Sequence, residues 1–203
     1  MLSGRGSNFV AIHAATQNGV LDAAIVCVIS NRPDAAGLQR ARDAGLTTHV
    51  FDHRKYPTRL DHEEDILRAL AEAAPDFICL AGYMRLLSPA FVAAYPHRIL
   101  NIHPALLPSF AGVDAQAQAI AYGVKVSGCT VHFVDENLDA GPIIVQRAVD
   151  VHEDDTPDSL SARILEQEHL AYIDALQKLG RGFRIDGRHV ILGRQKAEGR
   201  RQK

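Results

Sequence analysis

The chain has 203 residues, 47% hydrophobic and 23% charged, a balance that suits one globular domain with a sizeable core. Its formal net charge of −2 supplies no global basic field for nucleic acid. No apolar run approaches a membrane span and no signal peptide opens the chain, so the expectation is a cytoplasmic protein with neither nucleic acid nor membrane as partner. Three widely spaced cysteines, Cys27, Cys79 and Cys129, lie in apolar runs and read as buried thiols of a reducing compartment.

The first segment, Leu2-Ser3-Gly4-Arg5-Gly6-Ser7-Asn8, is a strand-to-helix turn. Its glycines permit unusual backbone angles, and a helix start with free N–H groups attracts a phosphate. Taken alone it is neither a P-loop nor a full dinucleotide fingerprint, and an ordinary tight turn accounts for it. Ala23 to Ile29 predicts a buried strand, Asp34 to Ala44 an amphipathic helix closed by Gly45, and Thr47 to Phe51 a short strand. Tyr56 to Ala74 reads as a long helix stopped by Pro75. Phe77 to Ala81 and Arg98 to Ile102 are apolar enough for central strands covered on both faces. This alternation predicts an α/β fold: a doubly wound, Rossmann-like, mostly parallel sheet in three layers.

After a helix over Ala115 to Tyr122 the pattern changes. Val126 to Val134 and Pro142 to Val149 predict two antiparallel strands joined by the loop that carries Asp139. Thr156 to Leu179 is a long helix with Thr156 as N-cap and Pro157 at its first position. Phe183 to Leu192, centred on Asp186-Gly187, predicts a hairpin. Residues 1–193 form one domain in this reading. The basic stretch 194–203 is expected to be disordered, with weak nonspecific affinity for polyanions.

The most informative stretch is Leu100-Asn101-Ile102-His103-Pro104. Residues two apart on a strand share a face, so Asn101 and His103 present an amide and an imidazole together. An amide can donate to an oxyanion, an imidazole can move a proton near neutral pH, and a carboxylate such as Asp139 can orient and charge that imidazole. The set suits acyl transfer to a nucleophile supplied by a substrate. An isolated Asn-x-His is more often a turn beside a satisfied core histidine.

Three segments in one order override that bland reading. They are Asn101-Ile102-His103-Pro104-Ala105-Leu106-Leu107-Pro108-Ser109-Phe110, Ser127-Gly128-Cys129-Thr130-Val131-His132-Phe133-Val134 and Leu138-Asp139-Ala140-Gly141-Pro142-Ile143-Ile144. Together they resemble the folate-dependent formyltransferases, over Leu2 to about Leu179. The resemblance implies formyl transfer from 10-formyltetrahydrofolate to the amine of glycinamide ribonucleotide, a step of de novo purine biosynthesis, without a metal. It implies Asn101, His103 and Asp139 as the catalytic set. It places the substrate's ribose phosphate on Gly4, Arg5, Gly6, Ser7 and Asn8, with Glu168 at the ribose hydroxyls. It assigns the folate to Met84, Arg85, Leu86 and Leu87 and to the loop Val134, Asp135, Glu136, Asn137, Leu138 and Asp139. Met84 and Leu87 would flank the pterin, although without the resemblance core packing is the better account of both. The family also has a full first strand of which Met1 and Leu2 would be the last residues, so the expectation is a chain lacking that strand. Monomer and homodimer remain open.

Among the family's members, one acting on methionyl-tRNA and one using water as the nucleophile carry a further domain, for which 203 residues are expected to leave no room. A sugar-nucleotide formyltransferase shares the same triad, and a folate or nucleotide binder without turnover is the reading from a different class. Two further signals are discounted. Asp52-His53 and Asp61-His62-Glu63-Glu64-Asp65 lack the fixed spacing of a metal site and read as a solvated helix face. His132 is either a supporting group of the site or a core histidine.

Overall fold

Glycine and proline punctuation divides the chain into short elements in a computed structural model, which describes residues 1–193. In chain order they are α1 (Ser7–Gln17), β1 (Val28–Ser30), α2 (Ala36–Asp43), β2 (Thr48–Val50), α3 (Arg59–Ala73), β3 (Ile78–Leu80), α4 (Pro89–Ala94), β4 (Ile99–His103), α5 (Ala115–Tyr122), β5 (Val126–Phe133), β6 (Ile143–Asp150), α6 (Pro157–Gly180), β7 (Phe183–Asp186) and β8 (His189–Leu192). Local chemistry sets their limits. Thr58 with Asp61 and Thr156 with Ser159 close capping boxes on α3 and α6. Ser88 caps α4 with Pro89 behind it, satisfying N–H groups that a helix start leaves free. The stretch 194–203 lies outside the described residues.

β1 pairs in parallel with β2 and β3 with β4, whereas β5 runs antiparallel to both β4 and β6. β8 lies parallel to β6 and antiparallel to β7. Strands β2, β1, β3, β4, β6 and β8 therefore share one direction and only β5 and β7 oppose it, which is the mostly parallel sheet expected. Helices α1, α2, α5 and α6 pack on one face and α3 and α4 on the other, in three layers. The core divides accordingly. On β4, Leu100 and Ile102 turn toward α6, and Ile99 turns toward α3 and α4. By the same alternation Asn101 and His103 lie on the face of Ile99, beyond the end of α4.

Between β1 and β3 the sheet is bridged by Met1–Ser3 alone. Leu2 N–H donates to Ile29 O at 2.9 Å, Ala81 N–H donates to Met1 O at 2.9 Å, and the Met1 ammonium donates to Cys79 O at 2.6 Å. Below Met1 the gap opens into a cavity of about 700 Å³, lined among others by Ile12, Cys27, Leu70, Phe77 and Cys79. Val28 N–H points to Thr47 and Ile78 N–H to Arg98, so the alternate residues Cys27 and Phe77 aim their backbone groups into the gap. Burial lowers the pKa of the Met1 ammonium.

The expected strand over Ala23 to Ile29 is thus confined to Val28–Ser30, where its inner edge finds Leu2 as a partner. The expected helix over Tyr56 to Ala74 is likewise shortened. A 3₁₀ turn over His53–Lys55 precedes it, and the capping box at Thr58 starts the helix at Arg59.

Candidate active site

Three elements converge on the open face of β4. Asn101 and His103 come from the strand itself, and His132 on β5 stands directly across from Asn101. The loop between β5 and β6 folds back over this face and brings Asp139 onto it, with Asp139 in the left-handed region at φ 50°. A non-glycine residue there is held against its own preference, as is common where a side chain must be aimed.

Asp139 Oδ2 lies 3.3 Å from His103 Nδ1 and accepts from Gly112 N–H at 2.9 Å. Its Oδ1 is 3.5 Å from Asn101 Nδ2 and 3.7 Å from His132 Nε2. His103 Nε2 is 2.8 Å from Phe110 O, an atom that can only accept. Both ring nitrogens of His103 therefore face acceptors. His132 holds its ring by Nδ1 against Phe133 O at 2.8 Å, which leaves Nε2 to accept from Asn101 Nδ2 at 3.4 Å. Burial is the main influence on His132 and lowers its pKa, with Asp139 opposing. A neutral imidazole fits that hydrogen-bond pattern. His103 and His132 are buried and Asn101 is half-buried, so the amide faces the open side.

The glycine turn and the last helix meet at a second point. Gly6 adopts φ 69°, and a Cβ there would lie 2.9 Å from Gly37 Cα, so only glycine fits. The turn starts α1, whose Val10 N–H is the first to find its partner, Gly6 O. The N–H groups ahead of it have no place in the helical pattern. Asn8 Nδ2 donates to Glu168 Oε2 at 2.8 Å, both residues being buried. Burial raises the pKa of Glu168, and the Asn8 bond pulls the other way. Asn8 Oδ1 is buried without a partner among the described residues. Two residues expected to serve one substrate are thereby joined. Arg5 and Gly4 are exposed beside them and Ser7 is half-buried.

The segment from Gly82 to Ser88 leaves the end of β3 with Met84 76% and Leu86 65% exposed. Arg85 is half-buried, and Leu87 packs against the core beneath α4. Met84 and Leu86, rather than Met84 and Leu87, thus offer their apolar surface to the outside. Across from them, Val134 is tied to β4 through its N–H to Ile99 O, and Asn137 N–H donates to Asp135 Oδ1. Glu136 and Leu138 are exposed. A cavity of about 360 Å³ lies between α4 and this loop, lined by Val92, Pro96, His97, Val134, Asp135 and Asn137.

A family model described as formyl transferase matches residues 1–176. The chain belongs to the formyl transferase family. It is 42% identical to the phosphoribosylglycinamide formyltransferase of Escherichia coli (strain K12), over 85% of this chain and 81% of that one. It is 46% identical to the Homo sapiens trifunctional purine biosynthetic protein adenosine-3, over 90% of this chain and 18% of that protein. The chain thus spans less than a fifth of that trifunctional relative. The crystal structure of glycinamide ribonucleotide transformylase 1 from Symbiobacterium toebii superposes with a TM-score of 0.92 at 46% identity, covering 95% of this chain and 92% of that one.

For a formyltransferase site, sequence reasoning did not foresee Phe110 O and Gly112 N–H, backbone groups that hold His103 and Asp139. Nothing in the residue types announces them, since any residue carries a carbonyl and nearly any an N–H. The acidic cluster is not the solvated helix face expected, because Asp52, His62 and Glu63 are buried, the latter two where the helix packs on the sheet. Asp52 pairs with Arg54 at 2.8 Å, which holds its carboxyl at about 2, and His62 Nε2 meets Phe51 O at 2.9 Å. Among the described residues, no group of three or more His, Cys, Asp or Glu side chains is arranged to hold a metal ion. Nor is any described helix long and apolar enough to cross a membrane.

Proposed function

We propose that this chain transfers the formyl group of 10-formyltetrahydrofolate to the amine of glycinamide ribonucleotide, in de novo purine biosynthesis. The observation that carries the reading is the 3.3 Å pair of His103 Nδ1 and Asp139 Oδ2 with the Asn101 amide beside it on one open sheet face.

The folate's pterin lies between Met84, Arg85, Leu86 and Leu87 on one side and the Val134–Asp139 loop on the other, where backbone groups supply its hydrogen bonds. The ribonucleotide phosphate sits over Gly4, Arg5, Gly6, Ser7 and Asn8 at the start of α1, a natural anion site. Glu168 accepts from the ribose hydroxyls.

The amine, once deprotonated, attacks the formyl carbon and forms the new C–N bond. The resulting oxyanion accepts from Asn101 Nδ2 and, once the substrate takes the place of Phe110 O at Nε2, from a protonated His103, a type of donor whose removal costs roughly 3–4 kcal/mol of barrier. Asp139 orients the imidazole and balances its charge. As the bond from carbon to the folate N10 breaks, the proton lost by the attacking ammonium reaches that nitrogen, relayed through His103, Asp139 and a bound water. Transfer is direct: Cys129, buried on the opposite face of β5 with its thiol pushed up to about 12, is no nucleophile at neutral pH. Tetrahydrofolate release, followed with and without glycinamide ribonucleotide, tests this. Release that depends on the ribonucleotide is the expected result, and release in its absence makes the protein a hydrolase instead.

A further inference from the structure

The Gly82–Ser88 segment presents Met84 and Leu86 outward, so it cannot owe its shape to burial of those side chains. Tyr83 and Leu87 pack into the core, and polar groups hold the segment at both ends. At the near end Ser3 N–H donates to Gly82 O at 3.0 Å, and Ser3 Oγ accepts from Met84 N–H at 2.9 Å. The same hydroxyl donates to Asn31 Oδ1 at 2.6 Å, which fixes its direction. At the far end Glu63, reaching from α3, accepts from Ser88 N–H at 2.9 Å through Oε1.

We infer that Ser3 and Glu63 are positioning residues, which hold the two ends of the Gly82–Ser88 segment in the shape that receives the folate. The inference rests on the folate reading of that segment proposed above.

Helix packing alone does not account for Glu63. The residue is 3% exposed, and its Oε2 is buried with no partner among the described residues. A buried carboxylate served on one oxygen is costly, and an apolar side chain fills such a site more cheaply. What the carboxylate provides is an acceptor at Ser88, where the segment turns into α4. Ser88 Oγ in turn accepts from Phe91 N–H at 3.2 Å, so the anchored residue is also the cap of that helix. Ser3 has a second consequence. It immediately precedes Gly4, so the phosphate turn and the folate segment leave from one fixed point.

The test compares Ser3→Ala, Glu63→Ala and Glu63→Gln with the unaltered protein. Losing one buried acceptor is expected to weaken tetrahydrofolate binding, measured by calorimetry without any amine, by about tenfold. The KM for 10-formyltetrahydrofolate should rise in step, while kcat at saturation stays within about threefold. Glu63→Gln keeps an acceptor oxygen and should restore most of the loss. Tryptic cleavage after Arg85 should quicken in Glu63→Ala and return to its original rate in Glu63→Gln. Should Glu63→Ala fail to fold, Ser3→Ala alone decides. Lowered thermal stability with unchanged folate affinity and unchanged cleavage at Arg85 overturns the inference. So does an unaltered protein that binds no tetrahydrofolate. Binding that responds as expected, in a protein that transfers no formyl group, overturns the proposed activity and leaves the positioning role standing.

Discussion

Asn8 and Glu168, 160 positions apart in the chain, meet in a buried hydrogen bond of 2.8 Å that ties the glycine turn to the last long helix. The bond does not fully offset burial, since the Glu168 pKa remains raised. A carboxyl whose folded pKa is raised contributes stability below its ordinary value, and that contribution is lost as pH rises through the folded value. At neutral pH the ionised group is therefore a burden on the fold. Glu168→Gln should melt higher than the unaltered protein at neutral pH, by an amount that shrinks to nothing in acid. It should also raise the KM for glycinamide ribonucleotide. Melting curves across pH decide, and identical curves at every pH would refute the argument.

His132 works in the opposite sense. Its folded pKa is lowered by burial, so its contribution to stability is present above the ordinary histidine value and lost as pH falls through the folded value. His132→Leu should flatten the loss of stability on mild acidification. Without Nε2 as acceptor, the Asn101 amide loses one of the two groups that orient it. We expect kcat to fall by about tenfold with folate affinity kept. A variant with full turnover would return His132 to the role of a core residue.

Asn101→Ala, His103→Ala and Asp139→Ala should each lower turnover strongly while leaving folate binding near normal. The first should cost about 10²–10³ in kcat, as for other oxyanion donors. Because His103 and Asp139 act through one contact, their double variant should be scarcely worse than the poorer single one. Additive losses in steady-state kinetics would mean that the two residues act separately.

The gap between β1 and β3 makes a prediction about stability. About five apolar residues of high strand propensity, at roughly 3.3 Å each, fused ahead of Met1 should enter the 700 Å³ cavity and continue the ladder begun at Leu2. The buried ammonium would become an amide, and the backbone groups of Cys27 and Phe77 would gain partners. A higher melting temperature and slower amide exchange at Cys27 are expected. An unchanged melting temperature would show that the cavity does not accept a strand.

How far the sequence could be read depended on whether a feature was local. β4 was legible because Ile99 and Leu100 lead into an Asn-x-His alternation, and strand geometry alone places both polar groups on one face. The capping of α6 was legible for the same reason, in Thr156 and Pro157. Ser88-Pro89 is an equally good start signal, yet the six residues of α4 are too few for a helical period to show. Ala23 to Cys27 has the composition of a strand but lacks a neighbour to pair with, and pairing is not written in the segment itself. The position of Asp139 depends on a left-handed residue within a folded-back loop, and residue order does not reveal where such a loop lands. His132 could not be decided for the same reason, since its meaning comes from the residue across the ladder.

The two halves of the sheet are clothed differently. Strands β1 and β3 lie between helices on both faces, whereas β5 and β6 have α6 on one face and, on the other, the segment carrying Phe110 and Gly112 and the loop carrying Asp139. Where a further helix would complete the sandwich, loops cover His103 and Asp139 and leave the Asn101 amide half-exposed. A ligand seated there becomes part of the architecture: it supplies the missing outer wall, and its affinity adds directly to the free energy that keeps the fold closed. Loaded with folate, the protein should behave as a larger domain than its chain length suggests, with the 134–142 loop changing from a margin of the structure into part of its interior.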